Sequence, residues 1–93
     1  MKKTVLIVDD EMDMRIFLKT LFETNGYMPL VTRNGKEGLA KAKAEHPDLI
    51  TLDVMMPGEG GVYLYKELRT DPDMRNIPII MLSGVKKDAF FHY

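Results

Sequence analysis

The chain has 93 residues, which is the length of one small domain. Its 13 basic and 14 acidic residues leave a net charge of −1, so no overall field attracts nucleic acid or an anionic membrane. Cysteine is absent, which excludes disulfide bonds and thiolate metal sites. The apolar runs are too short for a signal peptide or a membrane span, so we expect a cytoplasmic domain.

Four short apolar runs alternate with helical patterns along the chain. The runs are rich in β-branched residues, as in strands that are buried on both faces of a parallel sheet. The predicted strands are Thr4–Val8, 27–32, 48–52 and 77–82. The predicted helices are Met12–Thr24, 34–45 and 62–70, and the final residues, VKKDAFFHY, are compatible with the start of a fourth. This alternation predicts an α/β fold with a parallel sheet and right-handed crossovers.

Individual residues refine this arrangement. Gly26 is placed to close the first helix, and Pro47 prevents the second from continuing. Pro29 has no N–H to donate to a neighbouring strand, which indicates that the second strand lies at an edge of the sheet. Met14 and Met81 are predicted to fill the core.

Acidic residues follow two of the predicted strands. Asp9 and Asp10 follow the first strand, Asp53 follows the third, and Ser83 follows the fourth. Because the carboxyl ends of parallel strands share one rim, these side chains converge if the first and third strands are neighbours. Clustered carboxylates without His or Cys favour a hard cation such as Mg²⁺, Mn²⁺ or Ca²⁺. A carboxylate beside such a cation can attack a phosphoryl group.

Each aspartate also has a simpler interpretation when it is taken alone. Asp10 can be the cap of the first helix, and Asp53 can be a turn residue. These interpretations do not explain why acids end two strands while a serine ends another.

The motifs VLIVDDE, LDVMMPGEGG and IIMLSG occur in this order along nearly the whole chain. Together they resemble the receiver domain of two-component response regulators. The resemblance implies a flavodoxin-like, doubly wound parallel sheet with strand order 2-1-3-4-5, in which the first and third strands are adjacent. It also implies a fifth strand and a last helix that have no counterpart in this sequence. Residues 1–93 are therefore expected to form a receiver domain that is incomplete at its C-terminus.

The resemblance also implies a role for each site residue. Asp53 corresponds to the phospho-accepting aspartate, while Asp9 and Asp10 correspond to the Mg²⁺-binding pair, with Asp10 in direct contact and Asp9 acting through water. Met55 would give its backbone carbonyl to the metal, and Ser83 would be the switch hydroxyl. The residues expected to shape the pocket loop are Met56, Pro57, Gly58, Gly61 and Gly84. The family's phosphate-binding lysine belongs to the fifth strand and is absent from this chain.

The implied function is phosphoryl transfer from a histidine kinase or phosphotransfer protein to Asp53, followed by a conformational switch through Ser83. Such a domain accepts a phosphoryl group and can lose it again, but it is not a turnover enzyme. Neither nucleic acid nor a membrane is an expected partner. Without a fifth strand, the fourth strand becomes an exposed edge, so the chain is expected to be either an incomplete segment of a longer receiver or a chain that self-associates through this edge.

Two other functions remain open from the residues. A shortened receiver that binds partners without phosphorylation is favoured by the missing lysine. A phosphatase of the haloacid dehalogenase kind also uses an aspartyl nucleophile with Mg²⁺. That family has Asp-x-Asp after its first strand, whereas this chain has Asp9, Asp10 and Glu11 in succession.

Overall fold

The computed structural model describes residues 2–56 and 60–82. Expectations for Pro57, Gly58, Ser83, Gly84 and a fourth helix lie outside the described residues. Strands and helices alternate along the described chain, as the sequence predicts. In order they are β1 (Thr4–Val8), α1 (Met12–Thr24), β2 (Met28–Thr32), α2 (Gly35–Glu45), β3 (Leu49–Asp53), α3 (Gly61–Thr70) and β4 (Ile79–Leu82).

The four strands form one parallel sheet with the order β2-β1-β3-β4. This is the flavodoxin-like order, and within the described residues the sheet has no strand beyond β4. The sheet places β1 beside β3, with Val8 level with Leu52, so that the residues after both strands emerge at the same rim. β2 lies at one edge, as Pro29 indicated. No helix in the described ranges is long and apolar enough to cross a membrane.

Helices cover both faces of the central strand, which explains its uninterrupted apolar run. Val5 and Ile7 pack with Leu18 of α1 on one face. Leu6 and Val8 point to the other face, where they join the larger cluster beneath α2 and α3. The remaining buried members of that larger cluster are Ala42, Ile50, Leu52, Met56, Leu64, Leu68 and Met74.

Gly26 ends α1 as the sequence predicts. It adopts a φ of +87°, and its N–H donates to the carbonyl oxygen of Glu23 at 3.1 Å. The N–H of Tyr27 reaches back to the carbonyl oxygen of Phe22 at 2.9 Å, which completes a Schellman motif. The rings of Phe22 and Tyr27 then meet edge to face, with centroids 5.7 Å apart. This motif explains why β2 begins at Met28 and not at Tyr27, since the Tyr27 N–H is already used by the helix.

The predicted start of β4 at residue 77 is wrong. The N–H of Ile77 donates to the carbonyl oxygen of Met74 in a turn, and Pro78 has no N–H to give to a sheet. Smaller differences shift β3 to Leu49–Asp53 and start α3 at Gly61.

Among the described residues the fourth strand is an exposed edge, as expected for a sheet without a fifth strand, and the expectation from its apolar run that it is buried on both faces is wrong. Among the described residues β4 pairs only with β3, and Ile80 and Met81 are 48% and 43% exposed. Met81 is therefore not a core residue, whereas Met14 packs against the cluster beneath α1. Met74, from the loop before β4, is almost fully buried instead.

Candidate metal centre at the sheet rim

Three aspartates meet at the carboxyl end of the two central strands. Asp9 and Asp10 follow β1, and Asp53 is the last residue of β3. One carboxylate oxygen from each lies within 4.8 Å of the other two. The convergence that the sequence predicted from adjacent first and third strands is therefore present.

The three carboxylates differ in their access to solvent. Asp9 is 1% exposed and Asp53 is 6% exposed, whereas Asp10 is exposed. Two largely buried carboxylates beside a third create a concentrated negative charge, and such a charge favours a bound cation. Asp10 is the member of the cluster that is open to solvent.

Local hydrogen bonds hold the two buried carboxylates. The N–H of Glu11 donates to Oδ1 of Asp9 at 2.9 Å, and the N–H of Met55 donates to Oδ1 of Asp53 at 2.9 Å. Each aspartate therefore accepts a bond from the residue two positions later, which is a turn-forming arrangement. The interpretation of Asp53 as a turn residue is correct, and the same turn holds its carboxylate at the rim.

The alternative role for Asp10, as the cap of α1, is not what the structure shows. Glu11 occupies the capping position and makes no side-chain cap hydrogen bond. The carboxylate of Asp10 lies instead among the three clustered acids.

Sequence reasoning did not identify Arg15 as part of this region. Its Nη1 donates to the main-chain carbonyl oxygen of Asp9 at 2.9 Å, and the side chain is half-buried. The signal was its place as the fourth residue of a helix that begins two residues after Asp10. From there a long side chain can reach back to the end of β1.

Two glycines let α3 approach the end of β3. A Cβ atom on Gly61 would overlap the carbonyl oxygen of Asp53 and the Cα of Val54. A Cβ atom on Gly60 would overlap the carbonyl oxygen of Met56. The close approach requires glycine at both positions because neither backbone neighbour can move aside easily.

The two methionines after Asp53 have different environments. The side chain of Met55 is 69% exposed beside the cluster, whereas Met56 is 8% exposed and packs into the core beneath α2 and α3. Met56 therefore contributes its backbone to the loop, and its side chain anchors that loop to the core.

The donor set fits a hard divalent cation. It consists of carboxylate oxygens with no sulfur or imidazole ligand among the three residues. Mg²⁺ is commonly held by a few carboxylates while its other positions stay with water and phosphate oxygens. The mutual distances and the partial exposure of the cluster agree with that mode of binding.

Comparisons with known proteins agree with this geometry. Residues 5–92 match the family described as the response regulator receiver domain. The polar-differentiation response regulator DivK of Brucella ovis is 40% identical over 85 residues, which cover 90% of this chain and 68% of that protein.

Solved structures show the same fold. The N-terminal domain of a response regulator receiver protein from Methanoculleus marisnigri JR1 matches with a TM-score of 0.82 at 33% identity, over 96% of this chain and 75% of that one. The chemotaxis response regulator CheY4 of Vibrio cholerae matches with a TM-score of 0.85 at 30% identity, with the same shares covered.

The matched sequence covers most of the chain, the fold is that of the matched structures, and the acidic cluster is typical of the Mg²⁺ site of such domains. The family belongs to two-component signalling, in which a kinase is the partner, and its members are signalling proteins and not turnover enzymes. The chain therefore belongs to the response regulator receiver domain family.

Proposed function

We propose that this chain accepts a phosphoryl group on Asp53 from a phosphohistidine of a partner kinase or phosphotransfer protein. The observation that carries the proposal is the meeting of Asp9, Asp10 and Asp53, with their oxygens within 4.8 Å, in a chain of the receiver family. Asp53 is the last residue of the central strand β3, and its carboxylate lies at the rim of the sheet where α/β proteins bind ligands.

A hydrogen bond orients the carboxylate of Asp53, the proposed nucleophile. Its Oδ1 accepts the N–H of Met55 at 2.9 Å. A bond from a carboxylate oxygen of Asp53 to phosphorus forms as the bond from phosphorus to the imidazole nitrogen breaks, and the leaving imidazole nitrogen takes up a proton from solvent.

Asp9, Asp10, Asp53 and the backbone carbonyl of Met55 are the residues proposed to hold Mg²⁺. When bound, Mg²⁺ supplies positive charge that offsets the charge of the phosphoryl oxygens and of the clustered carboxylates. The protein's own part is to hold the two buried carboxylates in place, through the N–H groups of Glu11 and Met55.

Ser83 is the proposed switch residue. It follows Leu82, which lies level with Asp53 in the sheet, and the N–H of Val54 donates to the Leu82 carbonyl oxygen at 3.3 Å. Ser83 therefore directly follows β4 in the sequence, and β4 pairs with β3, the strand that ends at Asp53. A bond from the Ser83 hydroxyl to a phosphoryl oxygen would draw the residues that follow it toward Asp53.

Self-association through β4 is a further part of the proposal. Among the described residues β4 is an edge strand with exposed apolar side chains, and such an edge is a template for pairing with a second chain.

Intact mass spectrometry tests the phosphoryl transfer. Incubation with a small-molecule phosphodonor and Mg²⁺ is expected to add one phosphoryl group, and chelation of the metal is expected to prevent it. Asp53→Asn is expected to abolish the adduct, whereas Asp13→Asn, which changes an exposed acid of α1, is the matched control and should retain it. No adduct under any of these conditions would favour the interaction module that functions without phosphorylation.

A further inference from the structure

Arg15 joins the first helix to the acidic end of β1. Its Nη1 donates to the carbonyl oxygen of Asp9 at 2.9 Å, and its own N–H donates to the carbonyl oxygen of Glu11 at 3.1 Å. The side chain is half-buried, so the bond to Asp9 is shielded in part from competing water.

Three separate hydrogen bonds converge on Asp9. Its N–H donates to the carbonyl oxygen of Thr32 in β2 at 3.2 Å. Its carboxylate oxygen Oδ1 accepts the N–H of Glu11 at 2.9 Å, and its carbonyl oxygen accepts Arg15. The first bond ties the Asp9 main chain to the sheet, and the other two tie the residue to α1. The orientation of the Asp9 carboxylate therefore depends on how the peptide group between Asp9 and Asp10 is held.

We propose that Arg15 is a positioning residue for the metal site, acting through the Asp9 peptide group and not as a ligand. The inference rests on the proposed Mg²⁺ site. The guanidinium of Arg15 donates to the Asp9 carbonyl oxygen and so holds the peptide group that links Asp9 to Asp10. It thereby holds the acidic pair in the orientation that places their oxygens near that of Asp53.

If Arg15 acts through its charge, its removal should change cation binding in one direction. If it acts by positioning the acidic pair, its removal should change binding in the opposite direction. A guanidinium beside a cation site repels the cation, so a role through charge alone means that its removal tightens Mg²⁺ binding. A positioning role means that its removal weakens binding, because the acidic pair is less well ordered. The sign of the change therefore separates the two roles.

Two variants of Arg15 test the proposal on the full chain without any phosphorylation. Arg15→Lys keeps the charge but has a shorter side chain without the Nη1 donor that reaches Asp9, and Arg15→Met removes both the charge and the donor. Calorimetric titration with Mg²⁺ is expected to show that the affinity is reduced about 10-fold in both variants. A loss of this size is typical when a residue that orients the metal ligands is removed. Amide hydrogen exchange of the metal-free protein should also be faster at Glu11, whose N–H donates to Asp9.

Arg69 provides a matched control. It is also half-buried, and its Nη1 donates to the carbonyl oxygens of Arg75 and Ile77, at 2.6 and 3.0 Å. These bonds lie at the C-terminal end of α3, away from the acidic cluster. Arg69→Lys and Arg69→Met are expected to lower thermal stability while leaving the Mg²⁺ affinity unchanged.

The possible outcomes separate this inference from the proposed function. Wild-type affinity in Arg15→Lys, or tighter binding in Arg15→Met, would overturn the positioning role. If Arg15→Met fails to fold, the result for Arg15→Lys decides. Absence of Mg²⁺ binding by the wild-type chain would overturn the metal site itself and the Arg15 inference with it. Normal wild-type binding that is unchanged in both variants would overturn the Arg15 inference alone.

Discussion

Gly61, the first residue of α3, lies directly against the main chain of Asp53, where any larger residue would overlap the Asp53 carbonyl oxygen. The contact sets the distance between the start of α3 and the end of β3. The position of the proposed phosphoacceptor therefore depends on a residue that has no side chain.

Gly61→Ala should impair both stability and phosphorylation. The added methyl group meets backbone atoms, so the end of β3 or the start of α3 must shift. We expect a loss of about 1–3 kcal/mol in the free energy of unfolding, as for other overpacked sites, and slower phosphorylation of Asp53. Chemical denaturation and the rate of adduct formation measure these effects.

Gly26→Ala is the matched control for that variant. Gly26 has a φ of +87°, but no described atom beyond its two chain neighbours lies within 4 Å of a Cβ built there. The left-handed conformation makes this change cost about 1–2 kcal/mol, and it should leave the phosphorylation rate unchanged. Equal loss of phosphorylation in both variants would mean that the contact with Asp53 has no special role.

Gly38→Ala should destabilise the domain even though alanine is the better helix former. A Cβ atom there would lie 3.0 Å from both Cδ2 of Leu64 and Cγ2 of Val8, and both side chains are almost fully buried. The gain in helix propensity is about 1 kcal/mol, and overpacking costs about 1–3 kcal/mol, so we expect a net loss. Denaturant titration measures the sign of the change in the free energy of unfolding. The loss should shrink in a Leu64→Val background, and an unchanged loss there would contradict this account.

Asp48 should contribute to the acid sensitivity of the fold. Hydrogen bonds from the main-chain N–H and the hydroxyl of Thr4, at 2.8 and 3.2 Å, hold the pKa of this carboxyl below its usual value of 3.8. A carboxyl whose pKa is lower in the folded state stabilises the fold fully above its unfolded-state pKa. That contribution is lost as the pH falls through the folded-state pKa.

Asp48→Asn should therefore be less stable than wild type at neutral pH, and the difference should narrow in acid. Thermal unfolding as a function of pH measures this difference in stability. Glu37→Gln is a suitable control, because the pKa of Glu37 is lowered mainly by a hydrogen bond from the exposed side chain of Arg33. The effect of Glu37→Gln should disappear at high salt sooner than that of Asp48→Asn. A constant difference between wild type and Asp48→Asn across the acid range would contradict the assignment.

Strand β4, an edge of the sheet in the described part of the chain, should support self-association. Sedimentation velocity of the wild-type chain is expected to show association that increases with concentration, and Ile80→Lys, at a side chain 48% exposed, should reduce it. Val31→Lys changes a side chain 37% exposed on β2, the other edge of the described sheet, and should have a smaller effect because Pro29 makes that edge a poorer template for pairing. A wild-type chain that is monomeric at every concentration would contradict this proposal.

The sequence predicted the order of elements and the meeting of the acids because both follow from strong patterns. Continuous apolar runs mark strands that are covered on both faces, as in β1. An aspartate directly after such a strand must emerge at the rim, so Asp9 and Asp53 were identifiable before their neighbours were known. Glycine after a helical pattern, as at Gly26, predicted the end of α1 for a reason that the Schellman motif confirms.

Features that depend on tertiary contacts were not predictable from the same patterns. Met81 and Met74 are equally apolar, yet only the packing of the loop before β4 decides that Met74 is buried and Met81 is exposed. The bond from Arg15 to Asp9 joins a side chain to a main-chain oxygen, which leaves no trace in residue periodicity. The requirement for glycine at position 61 likewise arises from a neighbouring strand end.

The most direct test of the central claim is to locate the phosphoryl group within the chain. Phosphorylation by a small-molecule donor with Mg²⁺, followed by reductive trapping of the acyl phosphate and peptide mapping, should place the modification at Asp53 alone. The modification should be absent when the metal is chelated. Trapping at Asp10 or another acid in the wild-type chain, or unchanged labelling without a divalent cation, would contradict the account.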